Sequence, residues 1–256
     1  MTTAAPRPLA LITGATAGIG EACAHAFCAA GYRLLLIGRR ADRLHSLKTA
    51  LEAKGGQVHT CAIDVREAFQ VNVCFTDLPE EWKAVDVLVN NAGLARGLSN
   101  VQDGSLLDWE EMIDTNVKGL LYVTKAVVPG MVARGRGQII NIGSTAAKEV
   151  YPKGNVYCAT KHAVDALTRG MRMDLVGTGV RVGAVHPGMV NTEFSTVRFH
   201  GDKERADNVY KGFRPLLAED VAQVVLYMAQ APAHLNVADI LLLPADQASV
   251  TVVHRK

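Results

Sequence analysis

No cysteine pattern in this chain builds a staple. Cys23, Cys28, Cys61, Cys74 and Cys158 are odd in number, scattered, and without the paired spacing of a disulfide framework or a zinc site. They read as reduced thiols of a cytosolic protein. No apolar run approaches the ~20 residues of a membrane span, and the opening MTTAAPRP lacks the apolar core of a secretory signal. Charge of one sign is missing as well: 27 basic residues face 25 acidic ones, which leaves no basic face for nucleic acid or an anionic membrane. A small molecule is the expected partner, and histidine spacing assigns no metal.

What the chain does have is material for a core. With 256 residues, 49% hydrophobic and only 20% charged, one domain spanning 1–256 is expected, with residues 1–7 as a flexible lead-in. Short aliphatic runs recur with helical stretches between them: LALIT, RLLLIG, VHTCAI, VDVLVN, GQIINI, VRVGAV and ILLL. Continuous apolar strands imply burial on both faces, the pattern of a parallel sheet flanked by helices. The fold class is therefore α/β, a doubly wound Rossmann-type sheet of about seven strands. Helices are expected at 18–30, 41–54, 105–134 with an interruption near Asn116, 155–177 and 218–230, with Gly31 and Gly177 as C-caps. One polar segment, 192–213, breaks this rhythm and is a candidate substrate lid.

ITGATAGIG, residues 12–20, follows the first strand and opens the first helix. Gly14, Gly18 and Gly20 permit a tight turn, close approach of backbone N–H groups to a pyrophosphate, and close helix–strand packing, with Thr16, Ala17 and Ile19 between them. The spacing Gly-x3-Gly-x-Gly differs from the commoner dinucleotide fingerprint. It resembles the TGxxxGIG loop of the short-chain dehydrogenase/reductase family, which Thr13 to Gly20 match at every fixed position.

The second strand should end beside the adenosine ribose, where an acidic side chain would select NAD. Arg39 and Arg40 stand there instead, and an arginine fork favours the 2′-phosphate of NADP. The resemblance implies that Asp64 and Val65 hold the adenine ring, and that NNAG, with Asn91, Ala92 and Gly93, borders the adenosine side. It also implies that the loop HPGMVNT, with Pro187, Gly188, Val190 and Thr192, holds the nicotinamide carboxamide. His186 in that loop is read as structural.

Aromatics make up 5% of the chain, and one sits in NVYCATK. On a helix, Tyr157 and Lys161 at i and i+4 share a face. A neighbouring ammonium and the oxidised nicotinamide would both favour phenolate, so Tyr157 is expected to exchange a proton with a substrate alcohol. Ser144, just past the fifth strand, can hold the substrate oxygen. Ser144, Tyr157 and Lys161 reproduce the family's catalytic set, and Asn116 in DTNVKG matches the family's asparagine that holds a water linked to the lysine.

The resemblance covers the chain from about residue 8 to the end. It is strongest to the NADP-dependent 3-hydroxy acid (serine or allo-threonine) dehydrogenases, which implies oxidation of the β-hydroxyl of a small acid. The substrate carboxylate then needs a cationic partner, for which Arg198 is the first candidate and Lys153 the second. Lys148, Glu149 and Lys153 depart from that branch. Two other readings remain: an NADPH-dependent reductase of ketones, aldehydes or 3-oxoacyl chains, and a non-catalytic NADP(H) sensor on the same fold. Family resemblance further implies a homotetramer packed through the helices at 105–134 and 155–177, and the apolar strand ILLLP with the tail VTVVHRK offers a second interface, the tail able to reach a neighbour's site.

Overall fold

The computed structural model describes residues 7–256; the first six positions of the expected lead-in lie outside the described residues. Seven strands, β1 (Leu9–Thr13), β2 (Arg33–Gly38), β3 (Gln57–Ala62), β4 (Val87–Asn90), β5 (Gly137–Ile142), β6 (Val180–Pro187) and β7 (Asp239–Leu242), form one sheet in the order 3-2-1-4-5-6-7. Every pairing is parallel.

Alternation along the strands explains why both faces are apolar. Ala10 and Ile12 of β1 face one core with Leu34 and Leu36 of β2, while Leu9 and Leu11 face the other with Leu35 and Ile37. Helices α1 (Gly18–Ala29), α2 (Ala41–Glu52) and α9 (Ala218–Gln230) cover the first face through Phe27, Leu44, Leu51 and Val225. Helices α3 (Ala68–Asp77) and α5 (Leu120–Ala133) cover the second through Val71, Val123, Val127 and Met131. Because β1 lies between β2 and β4, crossovers leave it in opposite directions, and a crevice opens at the carboxyl ends of these strands.

Several boundaries differ from the sequence reading. Helix α3 was not expected: only Val71 of its ten residues is fully buried and Phe69 is exposed, so its sequence carries little amphipathic signal. The 105–134 stretch is α4 (Leu106–Ile113), a π-turn over Asp114–Gly119, and α5. Helix α6 (Asn155–Asp174) stops before Gly177, which serves a later turn at φ +82° rather than the helix cap. Gly31 does sit at C′ of α1, at φ +84°. The polar segment carries two short helices, α7 (Phe194–Arg198) and α8 (Lys203–Asn208). The C-terminal tail is tied to its own chain beside the polar segment. Lys256 N donates to Gly212 O at 2.7 Å, and the Arg255 guanidinium donates to Val209 O at 3.0 Å.

Candidate active site

A cleft of about 320 Å³ opens at the strands' carboxyl ends. One wall is the glycine loop. Gly14 and Gly18 take φ +65° and +54°, which side chains rarely adopt. A Cβ on Gly20 would lie 2.3 Å from Gly14 O, so this residue lets α1 close on the loop and does not itself line the cleft. Thr16, Ala17, Gly18 and Ile19 do line it, at the N-terminus of α1 where N–H groups favour an anion. Asn91, Ala92 and Gly93 lie opposite. Asn91 braces the turn, its Nδ2 donating to Thr13 O at 2.9 Å and Gly14 O at 3.2 Å.

The expected arginine fork is divided. Arg40 is fixed: Nε donates to Thr16 Oγ1 at 3.1 Å and Nη1 pairs with Glu193 at 3.0 Å. Arg39 is half exposed and only loosely held, 3.8 Å from both Asp64 and Glu111. Both line the cleft, but only Arg39 keeps a guanidinium with weak commitments, so the two are not equivalent anion ligands. Asp64 and Val65 also line it. Burial raises the Asp64 pKa, but hydrogen bonds from Arg66 outweigh it and hold the carboxyl below its usual range.

Ser144 follows β5, and its Oγ accepts from Ala146 N at 3.1 Å, which fixes the turn. Helix α6 presents Tyr157 and Lys161 one turn apart, both buried and both lining the cleft with Ser144. Burial, followed by the neighbouring Tyr151, pushes the Tyr157 phenol well above its ordinary value, opposed by Ser144 and Arg198. The Lys161 Nζ donates to Ile142 O at 2.9 Å, and burial brings its pKa down to about 8. Among the protein's own groups, then, the phenol keeps its proton at neutral pH while the amine titrates close to neutrality.

Asn116 sits in the π-turn, buried and outside the cleft lining. Its Oδ1 accepts from Leu94 N and its Nδ2 donates to Leu94 O, both at 2.8 Å, with a further bond to Thr160 Oγ1 at 3.0 Å. These bonds occupy the side chain, so any water link would have to pass through backbone that the π-turn releases.

Pro187, Gly188, Val190 and Thr192 continue the lining from β6 into the polar segment. Helix α7 then crosses over the cleft. Glu193 before it accepts from Arg40 and, at 2.6 Å, from Arg43. Phe194 packs edge-on against Tyr157, centroids 5.7 Å apart. The far end is tied to the loop after β4, with Gly97 N donating to Arg198 O at 2.8 Å and Arg96 Nη1 to Val197 O at 2.6 Å. The Arg198 guanidinium lies 5.3 Å from the Tyr157 ring centroid and 5.5 Å from that of Tyr151, whose hydroxyl it also bonds. Lys153 is exposed at φ +66° and borders, with Arg198, a smaller hollow behind Tyr157.

Comparison with known proteins agrees with this geometry. A family model described as short chain dehydrogenase matches residues 8–203. The chain belongs to the short-chain dehydrogenase family. The "NADP-dependent 3-hydroxy acid dehydrogenase YdfG" of Salmonella typhi is 47% identical over 96% of this chain and 99% of its own. "Sulfoacetaldehyde reductase 2" of Chromohalobacter salexigens is 47% identical over 94% and 95%. A solved structure, the closed form of serine dehydrogenase complexed with NADP+, superposes with a TM-score of 0.92 at 45% identity, over 97% of this chain and 100% of that one.

Within this short-chain dehydrogenase the structure adds residues that the sequence did not single out. Glu193 joins α7 to both Arg40 and Arg43, and Tyr151 and Phe194 pack with the Tyr157 ring. No local spacing announces them, since their partners lie far along the chain. His186, read as structural, is fully buried against Gly143 and Ser144, and desolvation lowers its pKa against the pull of Asp239. Lys148, one of the charged departures, bridges Asp165 and Asp239 at 2.9 and 2.6 Å. Among the described residues no helix is long and apolar enough to cross a membrane.

Proposed function

We propose that this protein is an NADP-dependent dehydrogenase acting on the β-hydroxyl of a small 3-hydroxy acid of the serine, allo-threonine or 3-hydroxyisobutyrate type. The observation that carries the reading is convergence in one cleft: Ser144, Tyr157 and Lys161 line it together with the glycine loop, while Arg198 of α7 lies outside that lining, 5.3 Å from the tyrosine ring centroid. The glycine cradle, in which a Cβ on Gly14 or Gly20 would meet neighbouring backbone and one on Gly18 the Thr192 side chain, fits a pyrophosphate, and Arg39 is poised for a 2′-phosphate. Asp64, Val65 and Asn91 to Gly93 would border the adenosine, and Pro187, Gly188, Val190 and Thr192 the nicotinamide. Bound there, NADP would supply the acceptor for the hydride of the carbinol carbon.

The protein's part is to hold the oxygen and move its proton. Ser144 Oγ orients the substrate oxygen, and Tyr157 exchanges the proton with it. Because burial keeps the phenol protonated, its resting form is ready to donate to a carbonyl; oxidation requires Lys161, titrating near neutrality, and the bound cofactor's charge to help draw that proton off. Segment 192–213 acts as the lid. Arg198 reaches from it to the substrate's acid group, a role that exposed Lys153 fits less well.

The reductase relative favours a second reading, reduction of a small anionic aldehyde, which a protonated Tyr157 suits. In sulfoacetaldehyde, as in a 3-oxo acid, the anion is one carbon removed from the carbonyl carbon. Both readings therefore ask the same arginine for the same task. Support for a homotetramer comes from the apolar side chains left exposed on the implied interface helices, Leu106 and Leu107 on α4 and Met173 on α6. Light scattering measures that stoichiometry. A cytoplasmic location accords with five free cysteines.

The deciding experiment assays purified protein with NADP plus serine, allo-threonine or 3-hydroxyisobutyrate, and with NADPH plus sulfoacetaldehyde or neutral ketones. Turnover of the acids supports the first reading and turnover of sulfoacetaldehyde the second. Turnover confined to neutral ketones removes both, and NADPH binding without turnover of any compound leaves the sensor.

A further inference from the structure

Behind Ser144, on the side away from the cleft lining, three donors from separate elements meet: Asp165 of α6, His186 of β6 and Asp239 of β7. The His186 ring is packed beneath the serine turn, so closely that a Cβ on Gly143 would lie 2.3 Å from its Nδ1. That nitrogen is 3.3 Å from Ser144 O. A carbonyl only accepts, so Nδ1 carries the proton and Nε2 presents a lone pair. Nε2 is fully buried and has no hydrogen-bond partner. It faces Asp239 Oδ1 at 3.3 Å and Asp165 Oδ1 at 3.7 Å. A lone pair turned on two carboxylate oxygens is repulsive, and a cation between the three would convert repulsion into ligation.

We propose that His186, Asp165 and Asp239 form a binding site for a divalent transition-metal ion of the Zn²⁺, Co²⁺ or Mn²⁺ class. Tetrahedral ligands ~2.1 Å from such an ion stand ~3.4 Å from one another. Two of the three edges, at 3.3 and 3.7 Å, are already close to that, and all three donors lie within 4.8 Å. An imidazole whose other N–H is spent on a backbone carbonyl is the usual support of a metal-binding histidine. The nitrogen donor disfavours Mg²⁺ and Ca²⁺.

The cation now between the carboxylates is the Lys148 ammonium, 2.9 Å from Asp165 and 2.6 Å from Asp239. It balances their charge but leaves Nε2 unpartnered. Its side chain is 32% exposed, so it can swing into water when a metal enters. Arg169 holds the second Asp165 oxygen at 2.7 Å and does not compete for the first. Ammonium and metal are therefore rivals, and Lys148 sets the affinity.

The test titrates Co²⁺ into chelator-stripped wild type, Lys148→Met, His186→Gln and Asp239→Asn, followed by calorimetry and by the visible absorption of the metal. The expected result is one saturable ion per chain without a sulfur-to-metal charge-transfer band. Binding should tighten more than about tenfold in Lys148→Met and weaken more than about tenfold in His186→Gln. Asp239→Asn, at a partly exposed position, carries the same expectation of weakening should the buried histidine variant fail to fold. Equal binding in wild type and both ligand variants overturns the site, as does a lack of saturable binding to wild type, whether or not Lys148→Met binds.

Discussion

The two walls of the cleft are built by different means. The cofactor wall is backbone: strand ends and a glycine loop held so tightly that Gly20 has no room for a methyl group. The other wall, the proposed lid and hereafter the lid wall, is side chain. Helix α7 is held over the site by Glu193 on Arg40 and Arg43 at one end and by Arg198 and the Arg96–Val197 contact at the other. Backbone geometry set by local sequence is rigid and general, and suits a cofactor; charge pairs between distant residues are separable and suit the role of substrate lid proposed for 192–213. Tyr157 and Lys161 stand where the walls meet; burial governs both, and Ser144 and Arg198 also act on the phenol.

The largest effect tests that meeting point. Tyr157→Phe should lower kcat about 10²–10⁴-fold, while fluorescence titration finds NADPH affinity little changed, since the backbone wall is untouched. An equal loss of binding and turnover would mean that the ring belongs to the cofactor wall. Next comes Lys161, whose pKa falls from 10.5 to about 8 on burial. Above pH 8 the folded protein has released this proton while the unfolded chain retains it, so stability attributable to Lys161 rises between about pH 8 and 10.5 and is lost as pH falls through 8. Urea unfolding of wild type relative to Lys161→Met should show this difference growing by about 3 kcal/mol across the window. A flat difference would place the amine in contact with water.

A third comparison concerns the cofactor wall alone. Arg39→Ala should cut the preference for NADPH over NADH by about tenfold or more, the worth of a charged hydrogen bond. Arg40→Ala should act mainly by loosening α7, weakening both cofactors alike, because its guanidinium is already committed to Thr16 and Glu193. Equal loss of preference in both variants would restore the fork that the sequence led one to expect.

That expectation shows where legibility ends. Strand runs, the glycine spacing and the Tyr157–Lys161 turn are local patterns, and each predicted its element and its place in the cleft. Helix α3 was illegible because it buries only Val71 and keeps Phe69 in water, so no apolar stripe marks it. The division of labour between Arg39 and Arg40 depends on Glu193, far along the chain, and the phenol's raised pKa depends on burial that composition does not report. Likewise His186 gave no metal-ligand spacing because Asp165 and Asp239 reach it from neighbouring elements of the fold. Local backbone demands leave a trace in sequence; pairings closed by the fold do not.

The smallest expected effect belongs to the lid wall. Arg198 already spends hydrogen bonds on Tyr151 and, at 3.2 Å, on Gly97 O. Its gain from a substrate anion is therefore partial, on the order of tenfold in KM rather than the full worth of a free guanidinium. Arg198→Ala should raise KM for an acidic substrate with a smaller fall in kcat, and Arg198→Lys should recover part of the loss, because charge is kept while the planar fork is not. Neutral substrates supply the contrast. If their KM rises equally, the arginine is holding α7 over Tyr157 and binding no acid, and the lid wall would prove as indifferent to substrate charge as the backbone wall opposite.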